Sequence, residues 1–213
     1  MANLSGLNIV QNTQEEKIIL FSISLFQKEG IRKVTTEEIA KKLSISKKTL
    51  YNIFPSKSDL IFKCVQYQLL DAKCNMESLT ESNMDAIEEM MHIAHRVISI
   101  YKEFNDDFVY ELEKFYPKSW TLIKQYKITF VKKIISENLT RGKEQGFYRM
   151  EINEKIVSSI YIAASNSLLD YDIFSPKERL ANIFKEFFLY HIHAIATEEG
   201  IKRLKELSLK IQL

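Results

Sequence analysis

Ser46, Lys47, Lys48, Thr49, Tyr51 and Asn52 place three hydroxyls, two ammonium groups and an amide within seven residues. Ser46 is a candidate N-cap, so the group would sit at the start of a helix. Lysines, hydroxyls and a helix N-terminus are the chemistry that phosphate oxygens and major-groove base edges require. Thr35, Thr36 and Lys57 flank the group and extend the same chemistry. Other constellations carry less. Glu89 and His92 form a Glu-x-x-His pair, but a di-metal bundle needs a second copy and further glutamates on other helices, and the sequence has no second copy. His92 and His95 stand three apart and read as a satisfied or solvated pair. No Ser-His-Asp or Cys-His set has a readable motif around it, and no glycine-rich phosphate loop is present. The sequence therefore offers no positive sign of an enzyme.

The elements that must position these residues are legible from their boundaries. Thr35 followed by Glu38 is a capping box, with Val34 and Ile39 as its hydrophobic staple. Ser46 repeats the signal with Ile45 and Leu50, and Ser56 with Asp59 gives a third helix start. Only Leu43, Ser44 and Ile45 separate the first two helices, which reads as a helix-turn-helix. Ile39, Ala40, Leu43, Ile45, Leu50 and Ile53 would form its small core.

Thr35, Thr36, Ile39, Ala40, Ser46, Lys47, Thr49, Leu50, Tyr51, Phe54, Ser56, Lys57 and Leu60 fall in the order of a known pattern. The segment resembles the DNA-binding domain of the TetR family of transcriptional regulators. Two departures stand out. Ser44 occupies a turn position where that family often has glycine, and Lys48 adds a charge where it has a small residue or proline. The rival reading is an ordinary helical hairpin with a solvated lysine face.

The chain has 213 residues, with 46% hydrophobic and 27% charged residues, ordinary proportions for a soluble globular protein. Five glycines and three prolines are few for this length, so long helices are expected and the fold class is all-α. The net charge of +2 is uneven: residues 1–63 carry 10 Lys+Arg against 6 Asp+Glu, and residues 64–213 carry 20 against 22. A basic first third fits a small nucleic-acid-binding module on a near-neutral body. Cys64 and Cys74 fall on one long helix, about 15 Å apart along it, and cannot bridge each other. They read as free, buried thiols of a reducing compartment. No signal peptide or membrane-length apolar run is seen, and a cytoplasmic location is expected.

A first helix is expected from Thr13 to Glu29, closed by Gly30, after a frayed tail at 1–12. A fourth, from Ser56 through Leu70, would be the lever joining two domains, 13–60 and 61–213. Body helices are expected from about Asn83 to Tyr101, Asp107 to Phe115, Lys118 to Lys143 (ending at Gly142 or Gly146), Asn153 to Asp170 and Pro176 to Thr197. Gly200 would break the chain before a last helix, Ile201 to Leu209. The resemblance implies an effector pocket in the body, for which Tyr67, Met91, His95, Tyr101, Phe108, Trp120, Tyr126, Phe130, Tyr161 and Asn166 are the candidate lining. Such a lining suits a small hydrophobic effector, aromatic or cationic-aromatic. Doubled apolar stripes on 153–197 need two partners, and the resemblance implies that the second is another copy, with Phe187 or Phe188 at the seam. The whole reads as a homodimeric repressor released from double-stranded operator DNA by its effector, with no cofactor. A helical-body enzyme and a constitutive DNA-binding protein are the alternatives.

Overall fold

The computed structural model describes residues 13–80, 82–105, 107–170, 173–174 and 178–213. The tail expected at 1–12 and Pro176, the expected start of the last large helix, lie outside them. Among the described residues every regular element is a helix, apart from one isolated bridge between Tyr148 and Ala196. The helices are α1 (Gln14–Glu29), α2 (Thr36–Lys42), α3 (Lys47–Ile53), α4 (Lys57–Thr80), α5 (Ala86–Lys102), α6 (Phe108–Phe115), α7 (Pro117–Tyr126), α8 (Lys132–Glu144), α9 (Glu154–Ser167), α10 (Leu180–Ile195) and α11 (Glu198–Ser208).

Local chemistry sets most of the starts. The side chains of Thr13, Thr35, Ser46, Asp85, Asn153 and Thr197 each accept a backbone N–H three residues on. Ser56 does the same for Asp59 at 3.1 Å. Each such cap is worth about 1 kcal/mol. Gly30 closes α1 at φ 89°, donating its N–H to the Phe26 carbonyl. After α2, Ser44 adopts φ 55°, and the Ile45 N–H returns to the Ala40 carbonyl at 3.0 Å. Serine thus holds the left-handed turn position that glycine fills at least cost.

Two hydrophobic clusters organise the packing. One joins α1–α4, through Ile18, Phe26, Ile39, Leu50, Phe54 and Leu60, to Phe108, Val109 and Leu112 of α6 and Trp120 of α7. The N-terminal helices therefore share their core with part of the body. Backbone bonds reinforce this second connection beside α4: Asn105 N–H donates to the Gln27 carbonyl at 2.6 Å, and Arg32 N–H to Glu111 Oε2 at 3.0 Å. The other cluster is the body core, with Met90, Met91, Tyr148, Phe188 and Ile192 among its most buried members.

The expected helix from Lys118 to Lys143 is present as one rod with an interruption. Lys127–Val131 form a π turn between α7 and α8, in which Lys132 N–H donates to the Lys127 carbonyl five residues earlier. The rod ends at Gly146, whose φ is 77°. Gly142 lies inside α8, and a Cβ there would come within 2.0 Å of the Tyr148 ring. Tyr148 is fully buried, its hydroxyl donating to Asn138 Oδ1 at 2.9 Å.

Gly200 does not break the chain. It sits in the first turn of α11, where a Cβ would lie 2.2 Å from the Phe147 carbonyl oxygen. Close packing against the 146–152 connection, rather than helix termination, explains the glycine. Arg203 on the same helix bonds Asp85 at 2.8 Å and Glu88 at 3.1 Å, fastening α11 to the start of α5.

Candidate nucleic-acid interface and cavity

The first turns of α2 and α3 meet on one surface. Ser46, Lys47, Lys48 and Asn52 are exposed there, and Thr49 and Tyr51 are half-buried. Ser46 is occupied as a cap: its oxygen accepts from Thr49 N–H at 3.0 Å and lies 2.8 Å from the Thr49 hydroxyl. Thr35 caps α2 in the same way, at 3.1 Å from Glu38 N. Thr36 is buried, and its hydroxyl lies 2.9 Å from that of Tyr51, joining the two helix starts. Lys47 ion-pairs with Glu37 and passes over the Tyr51 ring at 5.7 Å. The hydrogen bond from Lys47 holds the Glu37 carboxyl below its usual range, and the same contact raises Lys47.

Glu37 was not among the residues the sequence singled out. Its signal was present, since an acidic residue in the first turn of a helix suits the dipole. Its proximity to Lys47 depends on the crossing of two helices, which spacing does not reveal.

Lys57 departs from expectation. Its ammonium donates to the backbone carbonyls of Ile31 (2.6 Å) and Val34 (2.5 Å), and burial depresses its pKa. Lys57 fastens the α1–α2 connection to the start of α4 instead of reaching outward to a phosphate.

Beneath this unit lies a cavity of about 550 Å³, walled by α1, α4, α5, α6, α7, α8, α9 and α10. Tyr67, Tyr101, Phe108, Trp120, Tyr126 and Tyr161 of the expected lining are in its wall. Four expected residues are not. Met91 is fully buried in the body core. His95 is exposed, with Nδ1 2.7 Å from the Gln212 carbonyl oxygen. Phe130 packs on Tyr126 with ring centroids 5.3 Å apart, and Asn166 stands behind the wall as an acceptor for Lys127. Helical periodicity could not say whether each of these positions meets a neighbour, an empty volume or solvent.

The wall also contains residues the sequence reading passed over. Leu20, Ile23 and Gln27 of α1 bring the N-terminal unit into the cavity directly. Lys127, from the π turn, is the second. Its signal was a lysine on the apolar stripe of Ile123, Tyr126, Val131 and Ile134. Burial pulls its pKa down to about 8. Trp120 is 8% exposed, and its indole N–H has no acceptor among the described residues.

Glu89, half of the Glu-x-x-His pair, is buried against Arg141 and Asn138. Burial outweighs the Arg141 guanidinium and keeps its carboxyl above the usual range. Cys64 is buried, as expected, with its thiol raised by burial; Cys74 is exposed, contrary to expectation.

On the outer face of α9, Ile156, Ile160, Ala163 and Ser167 are exposed along one helical row, and Tyr190 on α10 is 78% exposed. Phe187 is half-buried, packing on Tyr161 at 4.9 Å between ring centroids. Phe188 is fully buried.

Residues 18–64 match the family model described as bacterial regulatory proteins, tetR family. Over 70 residues the chain is 36% identical to the uncharacterized HTH-type transcriptional regulator YerO of Bacillus subtilis, a match spanning 33% of this chain and 24% of that protein. Among solved structures, a transcriptional regulator from Cytophaga hutchinsonii aligns over 85% of this chain and 98% of its own, with a TM-score of 0.70 at 17% identity. The ketosteroid transcriptional regulator KstR2 of Mycobacterium tuberculosis aligns over 89% and 98%, with a TM-score of 0.55 at 16% identity. At such identities the likeness is one of fold, and it extends beyond the N-terminal unit to the helical body.

Proposed function

We propose that this chain, whose residues 18–64 match the tetR-family model, is a homodimeric TetR-type repressor that leaves its operator when a small molecule enters the body. The cavity carries this reading. A body packed solid would suit a constitutive DNA-binding protein, whereas about 550 Å³ of largely apolar space lies against α1 and α4 together. That volume is within the range of small-molecule sites.

In this reading Lys47 and Lys48 contact phosphates, and Thr49, Tyr51 and Asn52 position α3 or touch base edges. Lys47 exchanges Glu37 for a phosphate on binding. The carboxylate left beside the groove then disfavours some base pairs and can accept from a cytosine amino group. The exposed row of α9 with Tyr190 of α10 forms a two-fold seam with a second copy. Two α3 helices must then fit successive major grooves about 34 Å apart. An effector that holds α1 and α4 at a different angle changes that spacing, and it releases DNA only to the extent that it binds the released state better.

The test is a gel-shift titration on the chain's own upstream DNA, with and without a lipophilic library screened by Trp120 emission. Compounds that shift Trp120 should lower DNA affinity, and DNA should weaken them by the same factor. DNA affinity unchanged at saturation with every Trp120-shifting compound would leave a DNA-binding protein without an effector.

A further inference from the structure

We propose that the cavity takes a singly charged anion on an apolar body, a carboxylic acid with an aliphatic or aromatic skeleton, and that its carboxylate pairs with the ammonium of Lys127. The proposal rests on the effector reading above and reverses the charge expected from the aromatic lining.

Lys127 enters the wall between Tyr126 and Val131, both also in the wall, on the π turn. Its ammonium donates to the Ser165 carbonyl at 3.4 Å and to Asn166 Oδ1 at 3.2 Å. Both acceptors are neutral. An ammonium has three N–H groups, so one remains uncommitted. Among the described residues no carboxylate lies within ion-pairing distance of it. The other charged groups of the wall are Asp71 and Arg96, which pair with each other at 3.3 Å and are both largely exposed. They cancel at the rim, and Lys127 is left as the charge inside.

A half-buried charge without a counter-ion is costly, and an entering anion lowers that cost while keeping the existing hydrogen bonds. A cation would meet an ammonium and no free carboxylate. A multiply charged anion would find one cation only. The space is about three to four times the ~150 Å³ that admits one benzene. It therefore has room for an extended chain or fused rings behind the carboxylate.

The experiment uses the purified full chain and compounds that share a body and differ in charge. Decanoate, decanol and decyltrimethylammonium form one series, and 2-naphthoate with 2-naphthalenemethanol a second. Trp120 emission and calorimetry read the binding. At neutral pH at least one carboxylate should bind about tenfold more tightly than its alcohol, the size expected of a charge-assisted hydrogen bond. Either skeleton supports the proposal. Lys127→Met should remove the ratio while leaving the alcohol's affinity in place, which also shows that the variant is folded; Lys127→Arg should keep it.

Burial already pulls the Lys127 pKa down to about 8. Raising the pH through that value should therefore weaken carboxylates and not alcohols. Glu113 and Lys124, which act on Lys127 through space with opposite signs, and the Asp71–Arg96 pair face the same region. Lys124→Met should leave the loss in place.

Alcohol or ammonium binding as tightly as the carboxylate would overturn the proposal, as would a preference that survives in Lys127→Met, while the effector reading stood. If no compound of any charge bound, the effector reading would fall with it.

Discussion

Two lysines ten residues apart show how one residue type takes opposite roles. Lys47 is exposed and pairs with Glu37 across two helix starts. Lys57 is turned in on two carbonyls of the α1–α2 connection. Lys47→Ala should weaken DNA binding and lower the dependence of log affinity on log salt by about one unit. Lys57→Ala should leave that slope unchanged. It should cost about 1–3 kcal/mol of stability, because two half-buried carbonyls lose their donor. Gel shifts over a salt series and urea midpoints separate the two, and a loss of salt slope in Lys57→Ala would put that side chain on the DNA.

The caps at Thr35, Ser46 and Ser56 were legible in the sequence because each bond spans three residues and depends on nothing remote. The role of Lys57 was not, because its partners lie 26 and 23 residues away and belong to a connection with no periodicity.

At the scale of elements, α9 and α10 carry apolar residues on two faces, and the structure sorts them. Phe184, Phe188, Ile192 and Ile195 fill the body core, while Ile156, Ile160 and Tyr190 stay exposed. Helical spacing showed that two faces existed. It could not say which was internal, because Phe187 and Phe188 differ only by the helix's rotation against α5.

Ile160→Glu should therefore give a monomer in light scattering while its thermal melt as a protomer stays near normal. A charge at Phe188 should unfold the chain instead, since it would be buried without a partner. Should Ile160→Glu remain dimeric at micromolar concentration, the seam lies elsewhere. The rod α7–π–α8 teaches a related point. Its length was legible from the absence of breakers, but the π turn inside it was not, since no residue type marks a five-residue hydrogen bond as proline marks a kink.

For the molecule as a whole, His191 links stability to pH. It is buried between Tyr161, whose ring centroid is 4.8 Å away, and Phe187. Burial pushes its pKa down to about 4. A histidine of the unfolded chain titrates near 6.5, so the unfolded state binds the proton first. The stability held above about pH 6.5 is lost as pH falls toward about 4, with a total of about 3 kcal/mol from this group. Urea midpoints at fixed protein concentration should fall across that window, and His191→Leu should flatten the fall by that amount. An equal fall in the variant would rule out His191 as its source.

The all-α class and the order of helices followed from few glycines, few prolines and good caps. The sharing of a core between the N-terminal helices and α6–α7 did not, because it joins residues some eighty positions apart.

That shared wall limits how the protein can be altered over generations. Leu20, Ile23 and Gln27 face the cavity from α1, the helix that supports the recognition unit. In the proposed repressor, a substitution selected there for a new effector also re-sets the resting tilt of the DNA-binding head. In that reading sensitivity and basal repression are inherited together at these positions. At Tyr161, Ser165 and Phe184, on the far wall, they are separable. A library randomised at the near wall should yield many variants that are always on or always off, and one randomised at the far wall should yield altered inducer preference with repression intact.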